Sequence, residues 1–181
     1  IAVAGTAIDN GASVVVIIRL DGTGNILWTK RLYDISSVPG LTNQFLLVHG
    51  LGETPDGGLA ICGRKTYKRV DGNFNYRIYT IQLSAAGNVN WTREDTQGND
   101  DEPYGLLMDQ GAIVIIGTTY SPVSGIRYGF LEKLNAATGN ADLFRRYQMG
   151  NLQSNFFRSI EKNSSGYEIG TQAFPFGLRL Y

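Results

Sequence analysis

DGGLAICG, residues 56–63, joins a turn signal to a short apolar run that closes on glycine. Its parts return further along the chain in DQGAIVIIG (109–117) and NSSGYEIG (163–170), and IAVAG (1–5) reads as the end of the same phrase. A run of four to six apolar, partly β-branched residues bounded by Gly and Asp is the signature of a buried strand entered from a tight turn. Asp-Gly is expected to supply the positive-φ residues of a two-residue hairpin turn.

Three anchors recur in one order. A strand ends at Gly5, Gly63, Gly117 and Gly170, glycines that lie 58, 54 and 53 residues apart; Thr follows three of them and Arg64 follows Gly63. A second strand ends polar-Leu at Leu20, Leu83, Leu134 and Leu180, with spacings of 63, 51 and 46. A Gly-Asn turn then leads to an aromatic strand in GNILW (24–28), GNVNW (87–91) and GNADLF (139–144), the last with one extra residue before its aromatic. A period near 53 residues with several short strands per unit indicates a repeat array such as a propeller.

Each unit reads as four strands. Strand a is TNQFLLVHGL (42–51), PYGLLM (103–108) or FFRSIEK (156–162), and strand b is GLAICG (58–63), AIVIIG (112–117) or YEIGT (167–171). Strand c is YRIYTIQL (76–83) or YGFLEKL (128–134), and strand d is NWTRE (90–94) or DLFRRY (142–147). The alternation in strand c is that of a half-buried strand, and no window of ten or more residues carries helical spacing. The fold class expected is all-β, a β-propeller of four-stranded antiparallel blades with about 3.4 repeats present and boundaries near 1–41, 42–95, 103–148 and 155–181.

These phrases resemble the repeats of bacterial secreted and cell-surface β-propeller proteins, in which a DGG-turn strand precedes a K-L-D-x-x-G-N-x-x-W hairpin. RLDGTGNILWTKRLY (19–33) and IQLSAAGNVNWTRED (81–95) match the hairpin; EKLNAATGNADLFRRY (132–147) loses the Trp. The resemblance covers nearly the whole chain and implies an extracellular or cell-surface location. Its motif residues are turn and core residues, so it implies architecture and not activity. Fourteen strands and 3.4 units fall short of the four to eight blades that close a propeller, so the chain is expected to be part of a longer protein.

Composition narrows the function. The 181 residues hold 16 basic and 16 acidic side chains. That balance argues against nucleic acid and against polybasic attachment to a membrane surface. The longest apolar run, Val14 to Ile18, is far below the ~20 residues of a spanning helix. The lone cysteine, Cys62, permits no internal disulfide and sits in an apolar run where a thiol is normally inert. The lone histidine, His49, excludes a His-pair metal site and reads as structural. No G-x-S-x-G elbow is present.

In the four-strand reading, the a–b and c–d turns are short and the b–c and d–a connections long, so a binding face is expected on the b–c/d–a side. Arg64, Lys65, Lys68 and Arg69 flank Tyr67 in one long connection, a set suited to an anionic sugar or a phosphate. Glu94, Asp95, Asp100, Asp101 and Glu102 gather around the next; Asp100, Asp101 and Glu102 are the candidate ligands for Ca²⁺, although a dedicated calcium-loop spacing is absent. The bland alternative is two solvated loops that partly neutralise one another. Trp28 and Trp91, at one offset from the turn, are expected to pack between blades, with Phe144 taking over in the third unit.

The leading expectation is a non-catalytic module serving as scaffold or as recognition surface for protein or glycan, alongside other blades of the same parent chain or assembly. The alternative is part of a propeller hydrolase or lyase whose active site is shared with blades outside this chain. A third reading is a structural subunit of a surface assembly.

Overall fold

Turn chemistry sets the architecture. In the computed structural model, which describes residues 1–33, 42–68, 72–95, 100–151 and 154–174, every element is a β-strand and nearly all pairing is antiparallel. β1 (Ala2–Asp9), β2 (Ala12–Leu20) and β3 (Ile26–Leu32) form one sheet. β4 (Thr42–Glu53), β5 (Leu59–Lys68), β6 (Phe74–Leu83) and β7 (Val89–Asp95) form a second. β8 (Glu102–Asp109), β9 (Ala112–Ser121), β10 (Ile126–Asn135) and β11 (Ala141–Tyr147) form a third meander. The hairpin of β12 (Ser154–Asn163) and β13 (Gly166–Phe174) joins this third sheet through one parallel bridge, Arg127 to Ser154. Those are thirteen strands among the described residues; the expected last strand, at 175–181, lies outside them.

The sheets stack face to face. Val15 and Ile17 of the first sheet meet Leu46, Leu59, Ile61, Tyr79, Ile81 and Leu83 of the second. The opposite face of the second sheet presents Ala60, Cys62 and Ile78 to Ile113, Ile115, Phe130 and Leu134 of the third. Val114, Ile116 and Leu131 then meet Phe157, Ile160 and Ile169 of the hairpin. The two middle sheets are therefore apolar on both faces. This is why LAICG and AIVII are buried at every position instead of every second one. Each fully buried Leu, Ile or Val in these runs contributes about 1.5–3 kcal/mol.

The turn at Asp56-Gly57-Gly58 differs from the expected two-residue form. Thr54 N donates to Gly58 O and Gly57 N to Thr54 O, both at 2.9 Å, closing a longer turn in which Gly57 alone has positive φ, +79°. Asp56 keeps a negative φ, and its Oδ1 accepts from Gly58 N at 3.3 Å. Gly58 is needed for proximity: a Cβ there would lie 2.3 Å from the Leu83 carbonyl oxygen. The two-residue turns with paired positive φ fall instead at Asn10-Gly11 and Gln110-Gly111. One repeated phrase thus covers unlike turns, and what truly repeats is the strand behind them.

The aromatic anchor is also re-assigned in the third unit. Trp28 Nε1 donates to Ala85 O at 3.0 Å, and its ring covers Gly87 of the next sheet's turn. Trp91 Nε1 donates to Ala136 O at 2.9 Å and covers Gly139 in the same way. Trp28 faces Arg19 and Trp91 faces Gln82; the matching partner of Lys133 is Leu143, not Phe144. The extra residue puts Phe144 on the other side of the sheet, stacked on Phe130 at 5.6 Å, because a shift of one reverses the face.

Candidate functional site

Strands β4, β8 and β12 lead the second sheet, the third sheet and the hairpin, and they pack side by side. Each carries an extra residue against its neighbour at this height, and β4 has a second register shift between Asn43 and Phe45. Val48 pairs with Gly63 and Gly50 with Cys62, which leaves His49 as the bulged residue of β4. Pro103 pairs with Gly117 and Gly105 with Ile116, which leaves Tyr104. Phe157 pairs with Thr171 and Ser159 with Gly170, which leaves Arg158. A bulge bends its strand and re-aims a side chain, and bulges are enriched beside functional sites.

The three bulged residues meet in one row. The His49 and Tyr104 rings are edge-to-face at 6.1 Å, and the Arg158 guanidinium lies 4.1 Å from the Tyr104 ring centre and 4.9 Å from that of Phe156. Tyr104 OH donates to Glu102 Oε2 at 2.7 Å, and Arg64 pairs with Oε1 of the same carboxylate. Burial, helped by that hydrogen bond and the Glu102 charge, pushes the Tyr104 phenol up to about 12. Burial holds the His49 imidazole below its ordinary value, with Arg64 adding to the effect and Glu102 opposing it. His49 Nε2 is buried without a hydrogen-bond partner. Arg158 is exposed, and no carboxylate pairs with it among the described residues.

The basic residues singled out in the sequence are not on a loop. Arg64, Lys65, Tyr67 and Lys68 belong to β5, whose ladder to β6 runs to the Lys68–Phe74 pair. Arg69 lies outside the described residues. Lys65 is fully buried, with Nζ 3.7 Å from Glu94 Oε2; Tyr67 OH donates to Glu94 Oε1 at 2.6 Å, and Arg77 donates to it at 3.1 Å. The first sheet stacks on the face of β5 that carries Lys65 and Tyr67, and Arg64 is turned to the other face. Among the described residues of this group, only Lys68 is exposed. Two pairs join the basic and acidic sets, Lys65–Glu94, which is buried, and Arg64–Glu102, which is half-buried, so the two sets neutralise each other in part on the sheet and not as solvated loops.

The acidic residues are dispersed. Asp100 sits 3.7 Å from Arg127, Asp101 is fully buried with its amide donating to Tyr76 O at 3.2 Å, and Glu102 is held by Arg64 and Tyr104. No group of three or more His, Cys, Asp or Glu is placed to hold a metal ion among the described residues. Asp95 is engaged by Arg93 through both oxygens.

Two sites escaped the sequence reading. Glu132, in the alternating strand GFLEKL, points into the second–third sheet interface and is fully buried, with neither carboxyl oxygen hydrogen-bonded. Burial, with repulsion from Asp95 and Asp101 outweighing attraction by Arg93, pushes it up to about 8. Cys62 lies in the same interface, where burial and then the Glu132 charge push the thiol up to about 12. A groove of about 330 Å³ lined by Thr54, Asp56, Gln82, Asn90 and Ala137 lies at the short-turn end, opposite the expected binding face. No protein-family model matches the chain, and no curated protein matches it.

Proposed function

We propose that the chain is a β-propeller repeat module of a secreted or surface-attached bacterial protein. It acts as a non-catalytic scaffold that recognises glycan or protein through the row formed by its leading strands. The observation that carries the reading is the recurrence of one bulge in β4, β8 and β12, which aligns His49, Tyr104 and Arg158. A scaffold that repeats a distortion three times in register, and differs in the residue it presents, keeps its backbone for position and its side chains for recognition.

The stacking supports further repeats. The outer face of the first sheet carries Val3, Val16 and Ile18 at the positions where the second sheet carries the covered Ile61, Tyr79 and Ile81. Nothing lies within 4 Å of a Cβ at Gly24, whereas the equivalent Gly87 and Gly139 are each covered by a Trp.

Recognition is favoured over hydrolysis because glycosidase chemistry needs two carboxylates facing a shared gap. On the leading strands Glu53 is paired with Arg19, Glu102 with Arg64, and Asp109 with Lys162 and Tyr167; the exception is Glu161 of β12, exposed and opposite Glu168 of β13, whose carboxylate accepts from Asn163. The test is an array of neutral and acidic polysaccharides probed with the purified parent protein, run beside an assay for new reducing ends and unsaturated products. Binding without product supports the reading. Product formation overturns it in favour of the hydrolase or lyase alternative, and no binding across the array overturns glycan recognition.

A further inference from the structure

We infer that the row is an oxyanion receptor centred on Arg158 and that its ligand is the carboxylate or phosphate group of a charged sugar; this rests on the recognition reading above. The charge balance of the cluster points this way. Glu102 is consumed by Arg64 and by the Tyr104 hydroxyl, so it does not neutralise Arg158. Burial lowers the His49 imidazole below its ordinary value, which disfavours a second positive charge beside Arg158. One guanidinium charge is left over, and it is exposed.

The geometry also prepares Arg158 to bind. Its guanidinium is held against two rings, Tyr104 at 4.1 Å and Phe156 at 4.9 Å. Stacking fixes the plane of the fork and leaves its N–H edge for a planar or tetrahedral oxyanion. Tyr104 is fixed in turn by the hydrogen bond to Glu102 and by the His49 ring. Arg64, Arg77 and Arg127 each lie over a tyrosine ring as well, but each also has a carboxylate within 4.0 Å, whereas no carboxylate pairs with Arg158 among the described residues. The sequence marks Arg158 as one of the few charged residues of strand a, with His49 and Glu161, but its stacking on Tyr104, more than fifty positions away, comes from the fold.

Glucuronate, glucose 6-phosphate and glucose distinguish the possibilities when titrated into the intact protein by calorimetry. The expected result is binding of one or both charged sugars, weakened by added salt, and no binding of glucose. The glucuronate and phosphate arms separate the two oxyanion sources. Arg158→Gln is expected to weaken binding at least tenfold, and Arg158→Lys, which keeps the charge but loses the fork, by an intermediate factor. Both variants should melt with the parent protein, since the side chain is exposed. Equal binding of glucose, or an unchanged Kd in Arg158→Gln, overturns the assignment and leaves the recognition reading standing. Neutral glycans bound on the array while neither charged sugar binds also overturns it. An empty array removes the glycan-recognition reading itself.

Discussion

Glu132→Gln is the sharpest perturbation of this fold. The glutamate sits on β10 opposite Ile115 and Phe144, wholly buried, with both oxygens unpartnered and Arg93 Nη2 3.9 Å from Oε1. Arg93 is committed to Asp95, so it cannot compensate a second carboxylate fully. The folded protein therefore holds the Glu132 proton up to about pH 8, while the unfolded chain releases it near the ordinary value of 4.5. Between those two values the folded state binds more protons, so stability falls as pH rises. At 1.36 kcal/mol per decade, the loss is about 3 kcal/mol at pH 7 and about 4 kcal/mol at pH 8 relative to pH 4. Glutamine has the shape of the protonated acid and no charge to release. The variant should match the parent within about 1 kcal/mol at pH 5 and exceed it by about 4 kcal/mol at pH 8. Urea denaturation at pH 5, 6, 7 and 8 measures this from the midpoints at constant slope. His49 tilts both proteins the opposite way, because its depressed value means stability is lost as pH falls through the His range. The difference between the two curves isolates Glu132. Parallel curves, or a variant less stable at pH 8, would refute the claim that a desolvated carboxylate governs this interface.

Three further outcomes are expected from the packing. Gly63→Ala should cost about 2–4 kcal/mol, since its Cβ would lie 2.0 Å from the Leu47 carbonyl oxygen and 2.4 Å from Tyr79 Oη; a thermal midpoint unchanged from the parent would contradict the close approach. Trp91→Phe removes the hydrogen bond to Ala136 O and should cost about 1–2 kcal/mol in chemical denaturation, whereas full stability would show that the indole merely lies on the turn. Cys62 should resist a thiol reagent in the native state and react in stoichiometric amount only after unfolding; rapid native labelling would mean that the second–third sheet interface opens.

How much of the site is legible in the sequence can be traced residue by residue. The packing role of Trp28 and Trp91 is readable because the offset from a Gly-Asn turn recurs and because a hairpin fixes the facing of the strand residues beyond it. Phe144 departs from the expectation for the same reason in reverse: one residue is inserted after the turn, and position, not aromatic character, marks the packing place. Leu143, three residues after Asn140, takes the place that Trp91 takes after Asn88. The basic stretch 64–68 reads as a loop because charges interrupt its apolar pattern. It extends β5 instead, because Glu94 on β7, itself held by Arg77 on β6, pairs with Lys65 and accepts from the Tyr67 hydroxyl. A buried lysine is tolerable only with such partners.

Local patterning read strand c as half-buried, whereas Ile78–Leu83 are buried at every position because a second sheet covers the other face. It was enough for the strand order, the meander connectivity and the wholly apolar strand b. These depend on quantities confined to a few neighbouring residues: period-two alternation, apolar runs of strand length and turn residues at fixed offsets. Long-range packing alone settled which charges are spent, which carboxylate is stranded and which side chains stand in one row. A bulge is a mismatch between two strands, invisible in either one alone, and His49, Tyr104 and Arg158 are neighbours only because three such mismatches occur at the same height. Likewise, the fate of Glu132 depends on a face supplied by another sheet, and no pattern within β10 encodes what that face holds.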